Sequence, residues 1–141
     1  MRSKFMHNVM RHLQRLWLLL WASPNSLLGL LLCLLSCLVG GRVRRVDGIL
    51  EASLPWCARP GGWRRLLPFS AITLGHVVFA ANDSELERLR AHERVHVRQY
   101  ERWGPLFVPA YLVSGCVLWL RGRDPYRDNP FEVEARRLGG C

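Results

Sequence analysis

The stretch LRAHERVHVRQYERWG, Leu89 to Gly104, decides how this chain is read. Upstream, Asn82, Asp83 and Ser84 offer helix caps, and Glu85 and Glu87 stand where a capping box needs an acid. Gly104-Pro105 ends the pattern, so a helix is predicted from about Ser84 to Trp103. At 100° per residue, His92, His96, Gln99 and Trp103 share one sector, with Leu89 and Tyr100 beside it and Glu93 at its edge. Arg90, Arg94, Arg98 and Glu87 take the opposite, wet side.

HERVH, His92 to His96, is an H-E-x-x-H motif. Histidines at i and i+4 project from adjacent turns and can ligate one ion at about 2.0–2.1 Å. A glutamate directly after the first histidine sits beside the open coordination position, where it can take a proton from an activated water. In a chain with five histidines the motif arises by chance in about one sequence in a hundred. The competing reading is two polar residues on a helix face with local hydrogen bonds. A catalytic site of this kind needs a third protein ligand. The spacing H-E-x-x-H-x-x-G-x-x-H is absent, because Gln99 and Arg102 occupy the last two positions, so the ligand must come from elsewhere. NPFEVEA offers Glu132 and Glu134. They lie about 160° apart on a helix, so only one can face the ion.

The remaining sequence sets the context. Of 141 residues half are hydrophobic, and the formal net charge is +9 with Lys4 the only lysine. Residues 16–39 carry no charge. As one helix they would span about 36 Å, enough for a bilayer core of about 30 Å. The SPNS interruption allows instead a shorter helix from Pro24 to Val39, capped by Ser23, behind an interfacial turn with Trp17 and Trp21. A cleaved signal peptide is the alternative, although the run ends in VGGRVRR and not in a small-x-small site. Arg2, Lys4, Arg11 and Arg15 before the run, and Arg42, Arg44 and Arg45 after it, suit anionic headgroups better than a duplex. Nucleic acid is therefore not an expected partner and the lipid bilayer is. With arginines at both ends, orientation stays open. Five scattered cysteines without a CxxC pair make no disulfide framework.

Asp47-Gly48 predicts a β-hairpin. The Pro- and Gly-rich segment 55–70 reads as a loop. AITLGHVVFA, Ala71 to Ala80, reads as one strand, with Gly75-His76 marking a bulge or a close approach. His76 is a candidate for oxyanion stabilisation in the cleft, and so is Tyr126, which precedes the last helix. That helix is predicted from the Asn129 cap and Pro130 to just before Gly139. Cys116 is expected in the core. PLFVPAYLVSGCVLWL, residues 105–120, is uncharged. If it crossed a bilayer, His92/His96 and Glu132 would lie on opposite faces. It is therefore expected to pack as a core helix or to dip into the membrane and return.

HERVH followed by FEVEA resembles the gluzincin metallopeptidases, especially the membrane-embedded CaaX prenyl proteases and their bacterial heat-shock relatives. In those the glutamate ligand opens an E-x-x-A-D signature. Glu132-Val133-Glu134-Ala135 matches it, and Arg136 stands in place of the aspartate. TLGHVVFA, RAHERVHVRQYERWGPLFVPAYL and YRDNPFEVEAR together are similar to an uncharacterised family of small bacterial membrane proteins, over most of the chain from Ile72 onward. The resemblance implies His92, His96 and Glu132 (Glu134 as the alternate) as ligands of one Zn2+, and Glu93 as general base. It implies a peptide or protein substrate and a bacterial inner-membrane location. The expected architecture is α+β: a basic and apolar membrane-associated segment over 1–41, then a small zincin-like domain over 42–141. That domain would comprise a hairpin or sheet, the H-E-x-x-H helix, an apolar helix and a C-terminal ligand helix. The expected activity is metallopeptidase hydrolysis; the alternative is a non-catalytic membrane module with a structural or vestigial metal site.

Overall fold

A computed structural model describes residues 2–54 and 70–140. The predicted loop at 55–70, apart from Ser70, lies outside the described residues. The architecture is α+β. Two helices, α1 (Arg2–Trp21) and α2 (Ser23–Leu38), precede strands β1 (Arg42–Val46), β2 (Ile49–Ser53), β3 (Ala71–Leu74) and β4 (Val77–Ala80). Then come α3 (Asp83–Trp103), a single 3-10 turn (Gly104–Leu106), α4 (Phe107–Leu120) and α5 (Pro130–Gly139).

The four strands form one sheet in the order β1-β2-β4-β3. β1 and β2 are the predicted hairpin. Asp47 at φ 51° and Gly48 at φ 87° supply the two positive φ values of a type I′ turn. The predicted single strand Ala71–Ala80 is instead a second antiparallel hairpin, pairing Leu74 with Val77 across Gly75-His76. Gly75 makes the reversal, with φ 60°. The expected close approach is there too, because a Cβ on Gly75 would lie 2.2 Å from Ser26 Oγ.

β4 runs parallel to β2 and antiparallel to β3, and all four of its residues are buried. The uninterrupted apolar run VVFA follows from that central position, because both faces are covered. On one face Ala52, Val77 and Phe79 pack with Cys33 of α2. On the other, Val78 and Ala80 pack with Leu86 and Val97 of α3. The result is three layers, with α2 and α3 on opposite sides of the sheet. Glu51 reaches the α3 side, where it accepts from Arg90 Nε at 2.7 Å and Arg44 Nε at 2.9 Å.

α2 begins at Ser23 with Ala22 as its cap residue, and no side chain caps it, so Ser23 does not play the predicted capping part. It meets the sheet through Gly29, Cys33 and Ser36, spaced i, i+4, i+7, and leaves Leu27, Leu28, Leu31 and Leu34 exposed. The stretch Asp83–Leu120 holds a helix long and apolar enough, by length and composition, to cross a membrane, and 22% of its most apolar window is buried. Met6–Leu18 and Ser23–Leu38 meet the same test only as a pair, bent by 69°.

α4 meets the core mainly through the buried Phe107 and Leu118. Tyr111, Ser114, Gly115 and Leu118, at i, i+3, i+4 and i+7, form a covered stripe. Leu112, Val113, Cys116, Val117, Trp119 and Leu120 face outward and are exposed, which also removes Cys116 from the core. Residues 121–129 turn back along the covered stripe. There the buried Asn129 donates through Nδ2 to Tyr111 O at 3.1 Å and Pro125 O at 3.4 Å. The chain thus leaves and re-enters the same region, so α5 returns to α3.

Candidate metal centre

α3 starts where the sequence places it. Asn82 Oδ1 accepts from Glu85 N at 2.8 Å, and Asp83 and Glu85 stand in the positive first turn. α5 starts in the same way, with Asn129 Oδ1 accepting from Phe131 N at 3.2 Å ahead of a proline. The two helices meet closely. A Cβ on Gly139 would stand 2.6 Å from both the Cα and the N of His92. Phe131 wedges edge-on between Phe107, at 5.2 Å between ring centres, and Trp103, at 5.6 Å. This packing fixes α5 so that Glu132 points at α3.

His92, His96 and Glu132 form one buried group that could hold a metal ion. The Nε2 atoms of His92 and His96 are 3.2 Å apart. Glu132 Oε2 is 3.3 Å from His92 Nε2, and Glu132 Oε1 is 3.4 Å from His96 Nε2. These spacings run to both carboxylate oxygens, and one ligand atom from each of the three residues lies within 4.8 Å of the other two, close enough to share one ion. Glu134 is turned away and reaches Gln99 and Arg102.

Hydrogen bonding settles which nitrogen of His96 is bare. Gln99 is fully buried, and its Nε2 donates to Phe131 O at 3.0 Å and to Glu134 Oε2 at 2.8 Å. Both amide hydrogens are thus used, so Gln99 Oε1 faces His96 Nδ1 at 2.8 Å as an acceptor. A neutral His96 therefore carries its proton on Nδ1 and presents a lone pair at Nε2, toward His92 and Glu132; a second proton, on Nε2, makes the cation that bonds Glu132. A buried lone pair facing another ring nitrogen at 3.2 Å calls for a proton or a cation between them. Glu132 Oε2, also buried, has only the His92 Nε2 contact at 3.3 Å, which needs a proton on that nitrogen, and His92 Nδ1 has no hydrogen-bond partner among the described residues. A cation at the centre would satisfy the carboxylate oxygen. The donor set, two imidazoles and one carboxylate, suits a borderline divalent ion.

Electrostatics follow from this packing. Burial would raise Glu132, but hydrogen bonds from His92 and His96, the charge of His96 and the Tyr111 hydroxyl hold it well below the usual carboxylate range. Burial would lower His96, yet its bond to Glu132 and the charges of Glu132 and Glu93 raise it above the ordinary histidine value. Glu93 is raised: burial is the main cause, and Thr73 and the two histidines offset it only in part.

Glu93 is buried beside the three ligands, and Thr73 Oγ1 donates to its Oε2 at 2.6 Å. Tyr126 is half exposed, and partial burial, the Glu132 charge and a hydrogen bond to Glu132 push it up to about 12. No family model, curated protein or solved structure matches this chain.

His76 is held elsewhere. It occupies the β3–β4 turn, its Nδ1 meets Ser26 Oγ at 3.1 Å, and its Nε2 lies 3.3 Å from Glu101 Oε1. Both ring nitrogens are committed to joining α2, the turn and α3, which leaves neither for an oxyanion. Sequence reasoning passed over Thr73 and Tyr111, whose hydroxyl donates to Glu132 Oε1 at 2.9 Å. Tyr111 had a signal: it is a hydroxyl set in an otherwise apolar helix. Thr73 had none, because Thr is an ordinary strand residue.

Proposed function

We propose that this chain is a membrane-associated, zinc-dependent hydrolase that cleaves peptide bonds. The observation that carries the reading is the His92–His96–Glu132 triangle with Glu93 beside it. His92 and His96 through Nε2, and Glu132 through its carboxylate, would hold the ion. When bound, zinc supplies Lewis acidity and lowers the pKa of a coordinated water. Thr73 pins one oxygen of Glu93, which leaves Oε1 to receive a proton from the attacking water and pass it to the leaving amine. A base raised by burial is better matched to that exchange near neutral pH than an ordinary carboxylate. Tyr126, protonated across the physiological range, can donate to the developing oxyanion. β3 is one of the two outer strands of the sheet, a place for an extended peptide to pair. Tyr100 already bonds the Thr73 carbonyl at 3.1 Å, so pairing there would use the remaining outward groups.

Membrane association rests on the outward apolar face of α4 and the exposed leucines of α2. Because α4 leaves and returns beside the ligands, it lies in or dips into one leaflet, and holds the site near the lipid surface. The alternative, a non-catalytic metal-binding membrane module, is favoured by one observation. Arg136 stands where the resembled enzymes carry an aspartate, and it donates to the Arg127 carbonyl instead of the ligand shell.

The test uses detergent-purified full-length protein. One equivalent of zinc, lost in His96→Ala, supports the centre. Cleavage of a proteome-derived peptide library, abolished in Glu93→Gln that still holds zinc, supports the hydrolase. Zinc without cleavage selects the alternative, and no metal in the wild type overturns both.

A further inference from the structure

A second site lies on the opposite side of the sheet. Between α2 and the two hairpins is an open crevice of ≈ 370 Å³, within the roughly 300–1,000 Å³ of small-ligand sites. Leu27 and Leu30 of α2, with Leu50 and Val77 of the sheet, form its apolar walls, and His76 lines it. The Ser26 hydroxyl and Glu101 occupy both nitrogens of that imidazole, and Ser26 Oγ also accepts from His76 N at 3.2 Å. The imidazole and the Ser26 hydroxyl are thus satisfied by each other and by Glu101, and the leucine and valine walls suit an apolar occupant.

Arg45 also lines the crevice. Strand alternation divides the hairpin: Arg44 and Glu51 turn to the α3 side, and Arg45 and its cross-strand partner Leu50 turn to the α2 side. The neighbouring arginines have acids. Arg44 is bound to Glu51, Arg42 stands 3.8 Å from Asp83, Arg90 takes Glu51, and Arg94 takes Asp47. Arg45 has no carboxylate partner among the described residues. A lone cation at the mouth of an aliphatic crevice is complementary to an anion carrying a long apolar chain. Leu27 and Leu30 are exposed and continue along α2 into Leu31 and Leu34, an apolar path out of the crevice.

We propose that this crevice binds an anionic phospholipid, with one acyl chain between Leu30 and Leu50 and the phosphate at Arg45. The site does not depend on the metal centre, and His96→Ala leaves it intact.

Full-length protein, delipidated in a neutral detergent, is crosslinked with phosphatidylglycerol or phosphatidylcholine carrying a diazirine on the acyl chain. Saturable phosphatidylglycerol labelling is expected on peptides covering residues 23–30 and 45–50. Arg45→Gln should weaken it at least about fivefold, the worth of one basic residue against an anionic headgroup, and Leu30→Trp, which fills the crevice, should weaken it measurably. Arg42→Gln, which removes the same charge from the same strand outside the crevice, should change it less than about twofold. Circular dichroism checks the folding of Leu30→Trp, and Leu27→Trp, at a more exposed position, replaces it if needed. Equal effects of Arg42→Gln and Arg45→Gln would reduce the binding to general surface attraction and overturn the proposal. So would labelling confined to the outer faces of the helices, or labelling insensitive to Leu30→Trp.

Discussion

Gln99→Leu tests the tautomer chain directly. The substitution keeps a side chain of similar size in a fully buried position but removes the acceptor 2.8 Å from His96 Nδ1. It also removes the donor to Phe131 O and Glu134 Oε2. His96 is then free to turn or to carry its proton on Nε2, where a ligand lone pair is needed. Loss of such an orienting partner costs about 10–100-fold in metal affinity. Worked through linkage, zinc at 100 times the wild-type Kd stabilises the fold by about 2.7 kcal/mol. A Kd weaker by 10–100-fold leaves about 1.4 to 0.4 kcal/mol at the same free zinc. The assay is urea unfolding with and without chelator, paired with competition against a chromophoric chelator. The metal-free mutant should lose about 1–3 kcal/mol as well, because buried polar groups are left without partners. The two losses separate, since only the first depends on zinc. Wild-type zinc affinity in a folded Gln99→Leu protein would refute the reasoning.

Four further outcomes follow from the same structure. In chelator, Glu132 and His96 together should contribute most to stability between about pH 4.5 and 6.5, while Glu93, held high by burial, subtracts from it as pH rises above 4.5. Glu132, held low in the fold, contributes above its ordinary 4.5 and loses that contribution as pH falls. His96, held high, contributes below its ordinary 6.5 and loses that as pH rises through its folded value. Zinc affinity should rise with pH over the upper part of that range, because the ion displaces the His96 proton, and a chelator-competition series from pH 5.5 to 8 reads it. Glu51→Gln should cost about 1–3 kcal/mol in urea unfolding, since it strips the carboxylate from Arg90 and Arg44. Glu51 is held below its usual value: burial opposes ionisation, but the two arginines outweigh it. Its contribution is thus present above pH 4.5 and fades below, so the mutant and wild-type curves should converge in acid. Gly29→Ala should destabilise by about 1–3 kcal/mol, because the new methyl would stand 2.8 Å from Val77 Cβ and 2.9 Å from the Leu74 carbonyl; thermal unfolding checks this.

How far the sequence could be read depended on the range of the interaction. The α3 and α5 starts, the Asp47-Gly48 turn and the facing of His92 and His96 were legible, because each follows from neighbours within four residues. The meeting of Glu132 with the two histidines could be expected only from a resemblance, since nothing local sets the course of residues 105–129. One reading failed, and one stayed double, where a short signal had two solutions. Ala71–Ala80 is as β-prone as one long strand, but Gly75 lets it fold back, and Ser26 from a distant helix occupies the space under the turn. α4 is apolar on every side, so no periodicity shows which stripe is covered. The return of residues 121–129 along Tyr111, Gly115 and Leu118 decides it. His76 was placed in the cleft because its strand was taken as unbroken; in a turn it faces α2 instead.

Glu132 stands 36 residues downstream of His96, across α4 and its return. During synthesis the two imidazoles therefore exist on a finished helix well before the carboxylate that faces them. Only the docking of the ten-residue α5, with Gly139 seated on the backbone of His92, brings the three side chains together. An ion that needs all three would bind only after that docking.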